Sequence, residues 1–487
     1  MLYHSTRSKE TTVDSAQAVL NGLAPDGGLY MPEQLPVLDV EKCLQQSTIG
    51  MAQMIIGAVL PDIPEMDVLA NRAYSGKFET EELTPTVDTG KFNVLELFRG
   101  PTSAFKDVAL CMLPQLLTKA RSVKGMQEDI MILTATSGDT GKAALEGFKD
   151  VDGIRICVFY PHGGVSAVQR AQMVTQEGKN VAVCAVEGNF DDAQTGVKKI
   201  FNDDEYAAKL MDIGVKLSSA NSINIGRLVP QVAYYVYGYI KLVERGEIQN
   251  GDKINIVVPT GNFGNILAAY YAGQMGIPVR KFICASNENK VLTDFINTGV
   301  YNINRDFYLT NSPSMDILIS SNLERLLYHL SGQNGEEIKA LMEALEKDKK
   351  YTVSPKIKYA LDDFYGGYAD QERTNEAIGR MYKKHGYLMD THTAVAYRVY
   401  QDYISYTGDQ TPTLLASTAS AYKFADSVVE SIGLEKGENG FESVKKLCYE
   451  TSVRIPAGLK DLENKEIRHT GVLDIPQMPD AVYECLK

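Results

Sequence analysis

The stretch EDIMILTATSGDTGKAALEGFKDVDGIRICVFYP (128–161) decides the fold class. Residues 128–136 are an apolar, β-prone run that predicts a strand, and SGDTG at 137–141 is a polar, glycine-rich turn. KAALEGFKD at 142–150 predicts a helix, and IRICVFYP at 154–161 predicts a second strand. Buried strands that alternate with helices through short loops indicate a parallel, doubly wound sheet.

This alternation continues and then begins again further along the chain. A helix is predicted over 166–176 and a strand over 180–186, and a second series starts with the strand KINIVVPT (253–260). The loop GNFGN (261–265) follows that strand, and KFICAS (281–286) is the next one. Two polar glycine loops at the carboxyl ends of two parallel sheets predict a ligand held between domains. The predicted fold class is therefore α/β, with two doubly wound open-sheet domains, a ligand cleft between them and an additional N-terminal domain.

The length of 487 residues corresponds to about three domains at roughly 150 residues each. We predict an N-terminal domain over 1–95, a first α/β unit over 96–250 and a second α/β unit over 251–487. The last of these includes TPTLLASTAS (411–420), which predicts a strand that runs into a turn of small residues.

Composition excludes several classes of function. The chain has 49 Lys and Arg against 62 Asp and Glu, a net charge of −13, which makes nucleic acid an unfavourable partner. No stretch approaches the roughly 18 apolar residues of a membrane span, and the opening MLYHSTRSK predicts no signal peptide. Seven cysteines without a CxxC pair indicate reduced thiols and a cytoplasmic protein, and six histidines without paired spacing give no metal site.

Three features carry candidate chemistry. GNFGN and SGDTG each follow a strand and precede a helix, a position at which backbone amides bind anions. GNFGN lacks the GK[ST] ending of a Walker loop and the spacing of a dinucleotide fingerprint, and on its own it is equally typical of a tight turn. Lys106 lies in GPTSAFKD, where an apolar setting would lower its pKa and make it a nucleophile and base. Without further context, an exposed lysine beside Asp107 is the alternative.

A set of motifs makes the chain resemble the threonine synthase family, pyridoxal-phosphate enzymes of the tryptophan-synthase-β group (fold type II). In order along the chain, the motifs are YHSTR (3–7), GLAPDGGLYMPE (22–33), GPTSAFKD (100–107), ATSGDTG (135–141), VEGNFDDAQ (186–194), NSINIGRLVPQ (221–231), PTGNFGN (259–265) and LASTASAYKF (415–424). The resemblance covers nearly the whole chain. GNFGN alone occurs across related pyridoxal enzymes, whereas the combination of AFKD, SGDTG and NSINIGR is much more specific.

The resemblance implies a role for each matching residue. Lys106 would form the Schiff base with pyridoxal 5'-phosphate, and Thr418 would hydrogen-bond the pyridine nitrogen of the cofactor. The residues that would wrap the cofactor phosphate are Gly261, Asn262, Phe263, Gly264 and Asn265. The residues that would contact the substrate carboxylate and the ring-hydroxyl side of the cofactor are Ser137, Gly138, Asp139 and Thr140. The candidates for the substrate phosphate, partly from charge matching, are Ser222, Asn224 and Arg227.

Two positions depart from the pattern of the family. Lys142 stands where a small residue is more usual, and Ala421 stands where a proline is more usual. Neither position carries the covalent chemistry. Lys142 is left with two interpretations, an anion contact or a solvent-facing side chain.

The activity implied by the resemblance is the conversion of O-phospho-L-homoserine and water to L-threonine and phosphate. A phospholyase that shares the cofactor but releases ammonia, phosphate and a keto acid is the nearest alternative. A pyridoxal-binding protein without turnover would have no reason to keep Lys106, GNFGN and Thr418 together, and a nucleotide-binding protein would need a Walker lysine. The implied partner is a small molecule, without nucleic acid or membrane, and the oligomeric state, monomer or homodimer, stays open.

Overall fold

The computed structural model describes residues 1–486 of the chain. The strands, numbered along the chain, are β1 (Leu2–Ser5), β2 (Thr12–Asp14), β3 (Tyr30–Pro32), β4 (Thr86–Asp88), β5 (Asn93–Glu96), β6 (Asp129–Ala135), β7 (Ile154–Pro161), β8 (Val181–Val186), β9 (Val215–Ser219), β10 (Ile254–Pro259), β11 (Val279–Ser286), β12 (Val300–Asn302), β13 (Lys350–Thr352), β14 (Phe364–Tyr368), β15 (Thr413–Ser417) and β16 (Gly471–Leu473). The α-helices are α1 (Ser15–Asn21), α2 (Val40–Cys43), α3 (Thr48–Val59), α4 (Met66–Tyr74), α5 (Lys106–Val123), α6 (Asp139–Phe148), α7 (Ala167–Val174), α8 (Phe190–Phe201), α9 (Asp204–Asp212), α10 (Ile225–Glu244), α11 (Gly264–Gln274), α12 (Val291–Thr298), α13 (Leu323–Leu330), α14 (Gly335–Asp348), α15 (Pro355–Ala360), α16 (Gln371–His385), α17 (Thr391–Thr407), α18 (Ala425–Ser431), α19 (Gly440–Thr451) and α20 (Met478–Glu484).

Two large sheets form the body of the molecule. One has the strand order β16-β8-β7-β6-β9 and is parallel throughout. The other has the order β14-β11-β10-β15-β5-β4 and is parallel except for the antiparallel pair of β4 and β5. The predicted α/β class with two doubly wound open sheets is therefore confirmed.

The loop between β6 and α6 differs from the sequence-based prediction in one respect. The helix begins at Asp139, three residues before the predicted start at Lys142. Gly138 has a φ of 130°, which lets the chain turn from strand into helix within the glycine-rich segment. SGDTG is therefore half loop and half first helical turn, and it presents helical amides to the end of the sheet.

The division of the chain at 95 and 250 follows chain order, but two segments cross it. β5, which precedes α5, pairs with β15 in the sheet of the second α/β unit. β16, near the end of the chain, pairs with β8 in the sheet of the first unit. The C-terminal region thus folds back onto the first unit, and β5, at the end of the predicted N-terminal domain, extends the sheet of the second unit.

The N-terminal part forms a small antiparallel sheet of order β2-β1-β3, with α1 to α4 beside it. Tyr3 is fully buried, and its hydroxyl donates to the carbonyl of Val59 at 2.6 Å. The same apolar core continues into α5 and α10, through residues such as Leu113 and Leu228. The N-terminal part is therefore packed against the two helices whose first residues face the cleft. Within residues 1–486, no helix is both long and apolar enough to cross a membrane.

Candidate active site

Lys106 is the first residue of α5 and lies beside Asp139, which follows β6 of one large sheet, and beside Thr418, which follows β15 of the other. It is only 8% exposed, and its Nζ lies 3.4 Å from the hydroxyl of Ser314 and 3.9 Å from a carboxylate oxygen of Asp139. Burial lowers the pKa of Lys106 to about 8; Asp139 opposes this effect, whereas the positive charges of Lys423 and Arg227 add to it. A substantial fraction of this amine is neutral near physiological pH, as a nucleophile or base requires.

Asp139, in the SGDTG segment, is the acidic neighbour of Lys106. Its carboxylate pairs with Lys423 at 2.7 Å and accepts a hydrogen bond from the Gln169 side chain at 2.9 Å. Burial acts to raise the pKa of Asp139, but the charges of Lys423 and Lys106 outweigh burial and hold the pKa below its ordinary value. Lys423 is fully buried and also donates to the carbonyl of Thr102 at 3.1 Å. The carboxylate therefore stays ionised and has its close counter-ion in Lys423.

The rest of the SGDTG segment is held by Thr136, whose hydroxyl accepts from the amides of Gly138 and Gly141 at 3.0 and 2.9 Å. Within the described part of the chain, the hydroxyls of Ser137 and Thr140 make no hydrogen bond, and both residues are half-buried. The first turn of α6 thus offers two free hydroxyls next to Lys106 and Asp139. This arrangement suits the capture of a carboxylate.

The GNFGN loop joins β10 to α11. Phe263 precedes the helix with a left-handed φ of 64°, and the carbonyls of Gly261 and Asn262 are occupied by Ser320 at 2.6 Å and by the backbone amide of Asn322 at 3.1 Å. Among residues 1–486, the backbone amides of 261–265 donate to no other group. With its carbonyls engaged and its amides free at a helix start, the loop has the form of an anion site.

Two side-chain observations support an anion at this loop. Asn265 is buried and accepts from the hydroxyls of Tyr234, at 3.0 Å, and Tyr235, while its own Nδ2 donor has no partner within the described residues. A Cβ added to Gly264 would have Asn322 Nδ2 as its nearest neighbour, at 3.5 Å. The protein thus leaves a donor unsatisfied and a space open beside the same helix start.

Thr418 lies directly beside Lys106. The amide of Phe105 donates to the Thr418 carbonyl at 2.8 Å, and Ala104 forms an isolated β-bridge with Ala419. The hydroxyl of Thr418, a buried residue, has no hydrogen-bond partner in residues 1–486. The structure therefore brings Lys106 and Thr418 together and leaves the Thr418 hydroxyl available.

Arg227, in the first turn of α10, is a buried cation that has no counter-ion within the described residues. It is 3% exposed, its Nη1 donates to the carbonyl of Ala220 at 2.7 Å, and its Nε has no partner among the described residues. No carboxylate of residues 1–486 pairs with it, and burial lowers its pKa to about 10. Because an unpaired buried charge is costly, this guanidinium is poised for an anionic ligand.

The two other residues predicted for the substrate phosphate make protein contacts. Both side-chain ends of Asn224 are engaged, the amide with the carbonyl of Val19 at 2.9 Å and the oxygen with the amide of Gly226 at 2.8 Å. Asn224 therefore caps α10 and connects it to α1. Ser222 accepts a 3.3 Å hydrogen bond from the Asn322 side chain.

Two other lysines near the site, Lys142 and Lys423, are each paired with a carboxylate. Lys142 is buried and pairs with Glu146 at 3.1 Å and with the side-chain oxygen of Gln176. It is neither solvent-facing nor free to bind an anion. Lys423 is committed to Asp139.

Sequence reasoning did not find Gln169, Ser314 or His392. The backbone amide of Ser314 donates to His392 Nε2 at 3.1 Å, and this contact connects residues 78 positions apart. No short motif contains both residues, so no local signal in one sequence could have indicated them.

These residues fit pyridoxal phosphate. Lys106 supplies a partly neutral amine, the start of α11 supplies free amides and the unsatisfied Asn265 donor, and Thr418 supplies a free hydroxyl. An amine, an anion cradle and a single polar partner for the ring are the groups that the cofactor needs.

Comparisons with known proteins indicate the same cofactor. Three family models match: "Threonine synthase N terminus" over residues 2–70, "Pyridoxal-phosphate dependent enzyme" over 80–415 and "Threonine synthase, C-terminal" over 393–482. The chain is 34% identical to threonine synthase of Saccharomyces cerevisiae, with 99% of this chain and 98% of that protein covered. It is 40% identical to threonine synthase-like 1 of Homo sapiens over 86% of this chain, and it spans only 58% of the length of that relative. The crystal structure of pyridoxal-phosphate-bound threonine synthase from Brucella melitensis superposes with a TM-score of 0.88 at 35% identity, covering 100% of this chain and 99% of that one.

Proposed function

The chain belongs to the threonine synthase family of pyridoxal-phosphate dependent enzymes, and on that premise we propose that it converts O-phospho-L-homoserine and water to L-threonine and phosphate. The enzyme class is a pyridoxal-phosphate-dependent lyase. The observation that carries the proposal is Arg227, a buried guanidinium that pairs with no carboxylate of residues 1–486 and whose positive charge lowers the pKa of Lys106. The loop 261–265 already provides a site for the cofactor phosphate. The cation of Arg227 therefore provides a second anion site, which supports a substrate that also carries a phosphate.

The cofactor would be held by three groups. Lys106 would bind it covalently, the amides of 261–265 with the Asn265 side chain would bind its phosphate, and the Thr418 hydroxyl would hydrogen-bond its ring nitrogen. When bound, the cofactor supplies an electron sink for negative charge that develops at the substrate Cα. A neutral hydroxyl at the ring nitrogen does not favour its protonation as a carboxylate would.

The substrate would be gripped at both ends. Ser137 and Thr140 would present their hydroxyls to the substrate carboxylate, together with the amides of Asp139 and Thr140, which have no partner among residues 1–486. The Gly138 amide is bonded to Thr136, so Gly138 contributes the turn into α6, and Asp139 keeps this turn close to Lys106. Ser222 and Arg227 bind the phosphate. Asn224 contributes by fixing the start of α10, since the amide of Arg227 donates to its carbonyl at 2.9 Å.

Lys106 moves the protons. Its Nζ takes the proton from Cα, and the same amine serves the later proton transfers because it stays on one side of the substrate. With a pKa of about 8, roughly a quarter of the amine is neutral at pH 7.5 before any ligand binds. Asp139 does not compete as the base, because its pKa lies below the ordinary value and it is paired with Lys423.

The proposal is tested with the purified protein, pyridoxal phosphate and O-phospho-L-homoserine. Threonine and phosphate in equal amounts are the expected products, whereas ammonia and a keto acid would identify the phospholyase reaction. Arg227→Gln should raise the KM for O-phospho-L-homoserine at least about 10-fold, since a hydrogen bond to a charged group contributes roughly 1.5–3 kcal/mol. Cofactor affinity, which depends on the loop 261–265, should stay within about twofold. Equal losses of both affinities in Arg227→Gln would remove Arg227 from the substrate-phosphate site.

We also propose the cellular location of the enzyme, its partners and the limits of its domains. We place the enzyme in the cytoplasm, acting on a small molecule without nucleic acid or membrane, as a monomer or homodimer. The net charge of −13 and seven free cysteines support this. The three units over 1–95, 96–250 and 251–487 remain our division of the chain, although β5 and β16 each pair with a strand that belongs to another unit.

A further inference from the structure

Asp390 precedes α17 and is fully buried. Its carboxylate accepts from the backbone amides of His392, at 2.9 Å, and Thr393, at 3.2 Å, which is the usual role of an aspartate that caps a helix. It also accepts from His392 Nδ1 at 2.8 Å and from the hydroxyl of Thr393. These two side-chain contacts are not needed for the cap.

The contact with His392 connects Asp390 to Lys106. His392 Nε2 accepts a hydrogen bond from the backbone amide of Ser314 at 3.1 Å. Because a backbone amide only donates, Nε2 must be unprotonated, and the proton of the neutral ring lies on Nδ1, facing Asp390. The Ser314 hydroxyl lies 3.4 Å from Lys106 Nζ. Asp390 thus fixes the tautomer that holds the short turn Pro313–Met315 against Lys106.

The second contact leads to Thr418. The Thr393 hydroxyl gives its proton to Asp390 and accepts a hydrogen bond from the backbone amide of Thr418 at 3.3 Å. It also contacts the hydroxyl of Ser417 at 3.2 Å. With its proton committed to Asp390, the Thr393 oxygen faces Thr418 as an acceptor.

We propose that Asp390 is a positioning residue of the reaction, because one buried carboxylate orients Ser314 against Lys106 through His392 and orients Thr418 through Thr393. The proposal rests on the roles assigned above to Lys106 and Thr418. It concerns orientation, and Asp390 touches neither substrate nor cofactor.

Asp390→Asn separates this role from capping. Asparagine caps helices as well as aspartate does, so α17 keeps its start. The side-chain NH2 can only donate, and when it faces the histidine it favours the ring with Nδ1 unprotonated and Nε2 protonated. That Nε2 cannot accept from Ser314, so the turn Pro313–Met315 loses its anchor. The same exchange beside a catalytic histidine in serine proteases gives the wrong tautomer, as is already established.

The matched control is Asp370→Asn. Asp370 caps α16, and its carboxylate accepts from the amide of Arg373 at 2.9 Å. A loss shared by both variants would therefore reflect capping, whereas a loss confined to Asp390→Asn would reflect the contacts with His392 and Thr393.

The first measurement is a long-range proton–nitrogen NMR spectrum of the holoenzyme labelled with 15N-histidine, with His392→Phe used to assign the signal. The expected signal of His392 in the wild type is that of the Nδ1-protonated neutral ring, and in Asp390→Asn that of the Nε2-protonated ring. An Nε2-protonated ring in the wild type overturns the proposal. So does an Asp390→Asn variant in which neither the His392 ring signal nor the Thr418 backbone-amide signal of 15N-threonine-labelled holoenzyme changes, because the side-chain NH2 must face either His392 or Thr393. This readout uses no substrate, so it decides the positioning role even if the wild type makes no threonine.

The second measurement is the steady-state kinetics of both variants. We expect kcat to fall about 10- to 100-fold in Asp390→Asn, with KM and cofactor occupancy nearly unchanged, as is usual when a residue that orients a functional group is lost. Asp370→Asn should keep the wild-type kcat. His392→Phe, which removes the acceptor for Ser314 and keeps a ring beside Phe424, should reproduce the kcat loss if Asp390→Asn does not fold. The positioning role would be contradicted if Asp390→Asn, or His392→Phe where Asp390→Asn does not fold, kept the wild-type kcat. Equal losses of kcat in Asp390→Asn and Asp370→Asn would contradict it as well.

Discussion

Replacing Lys106 by methionine should abolish turnover and at the same time stabilise the protein. Methionine keeps the length of the side chain and removes the charge from a site that is 8% exposed. The loss of activity should be at least about 1000-fold, because the variant lacks both the amine that holds the cofactor and the base that takes the Cα proton. The gain in stability follows from the pKa of the lysine.

The size of that gain is set by the difference between the ordinary lysine pKa of 10.5 and about 8 in the folded protein. At about 1.36 kcal/mol for each tenfold change in proton affinity, the charged amine costs the folded state about 3 kcal/mol. Below pH 8 the amine is charged in both states, so the full cost is present. Between pH 8 and 10.5 the folded chain has released the proton and the unfolded chain still binds it, so the cost shrinks as pH rises. Above pH 10.5 the cost is gone.

The assay is denaturant unfolding of the cofactor-free wild type and Lys106→Met at several pH values from 7 to 10. The difference between the two proteins at each pH cancels the titration of all other groups. We expect the variant to be more stable by about 2–3 kcal/mol at pH 7, with a difference that decreases above pH 8. Lys423→Met is the control, because that lysine pairs with Asp139 at 2.7 Å and its removal should destabilise the protein by about 3 kcal/mol. A Lys106→Met protein that is less stable than the wild type at pH 7, or a difference independent of pH, would refute the assignment of Lys106 as a buried amine of lowered pKa.

Three further predictions concern the remaining parts of the site. Gly264→Val should fold, since Asn322 Nδ2, the nearest atom to the new Cβ, is 3.5 Å away. Its cofactor affinity in an absorbance titration should fall at least about 10-fold, because the side chain fills the space beside the free amides. Full cofactor occupancy in this variant would contradict the assignment of the loop to the cofactor phosphate. Thr418→Asp should retain the cofactor and lose most threonine formation, because a carboxylate favours a protonated ring nitrogen. Thr418→Ser should keep both the cofactor and threonine formation. An unchanged product ratio in the aspartate variant would contradict the role of Thr418. Asp139→Asn should lower the free energy of unfolding by about 3 kcal/mol, since it removes the close counter-ion of the buried Lys423. Glu146→Gln should lower it by less than about 1 kcal/mol, because the Glu146 carboxylate is 31% exposed. Equal losses in chemical denaturation would contradict the greater importance of the Asp139 pair.

The parts of the fold that could be predicted are those whose signal is local. β7 over Ile154–Pro161 and β10 over Ile254–Pro259 are continuous apolar runs between polar turns, and such runs become strands buried on both faces of a sheet. The loops SGDTG and GNFGN were found because a glycine-rich turn between a strand and a helix is also a local pattern. Strand pairing is not local. β5 joins β15, and β16 joins β8, through contacts that cross most of the chain, so the order of the segments along the chain does not indicate these pairings.

Choosing the reactive lysine shows the same limit at the level of chemistry. Lys106, Lys142 and Lys423 each stand beside a glycine-rich or small-residue motif, and all three are buried. What separates them is the counter-ion of each amine: Lys142 has Glu146 at 3.1 Å and Lys423 has Asp139 at 2.7 Å, whereas among residues 1–486 Lys106 has no carboxylate closer than 3.9 Å. Burial lowers the pKa of Lys142 as well as that of Lys106, so burial alone does not choose between them. The close carboxylates engage Lys142 and Lys423 in ion pairs that hold the structure together, whereas the amine of Lys106 is left available as a nucleophile. Asp139 is far from both Lys106 and Lys423 in the sequence, so its closer pairing with Lys423 could be established only in the folded chain.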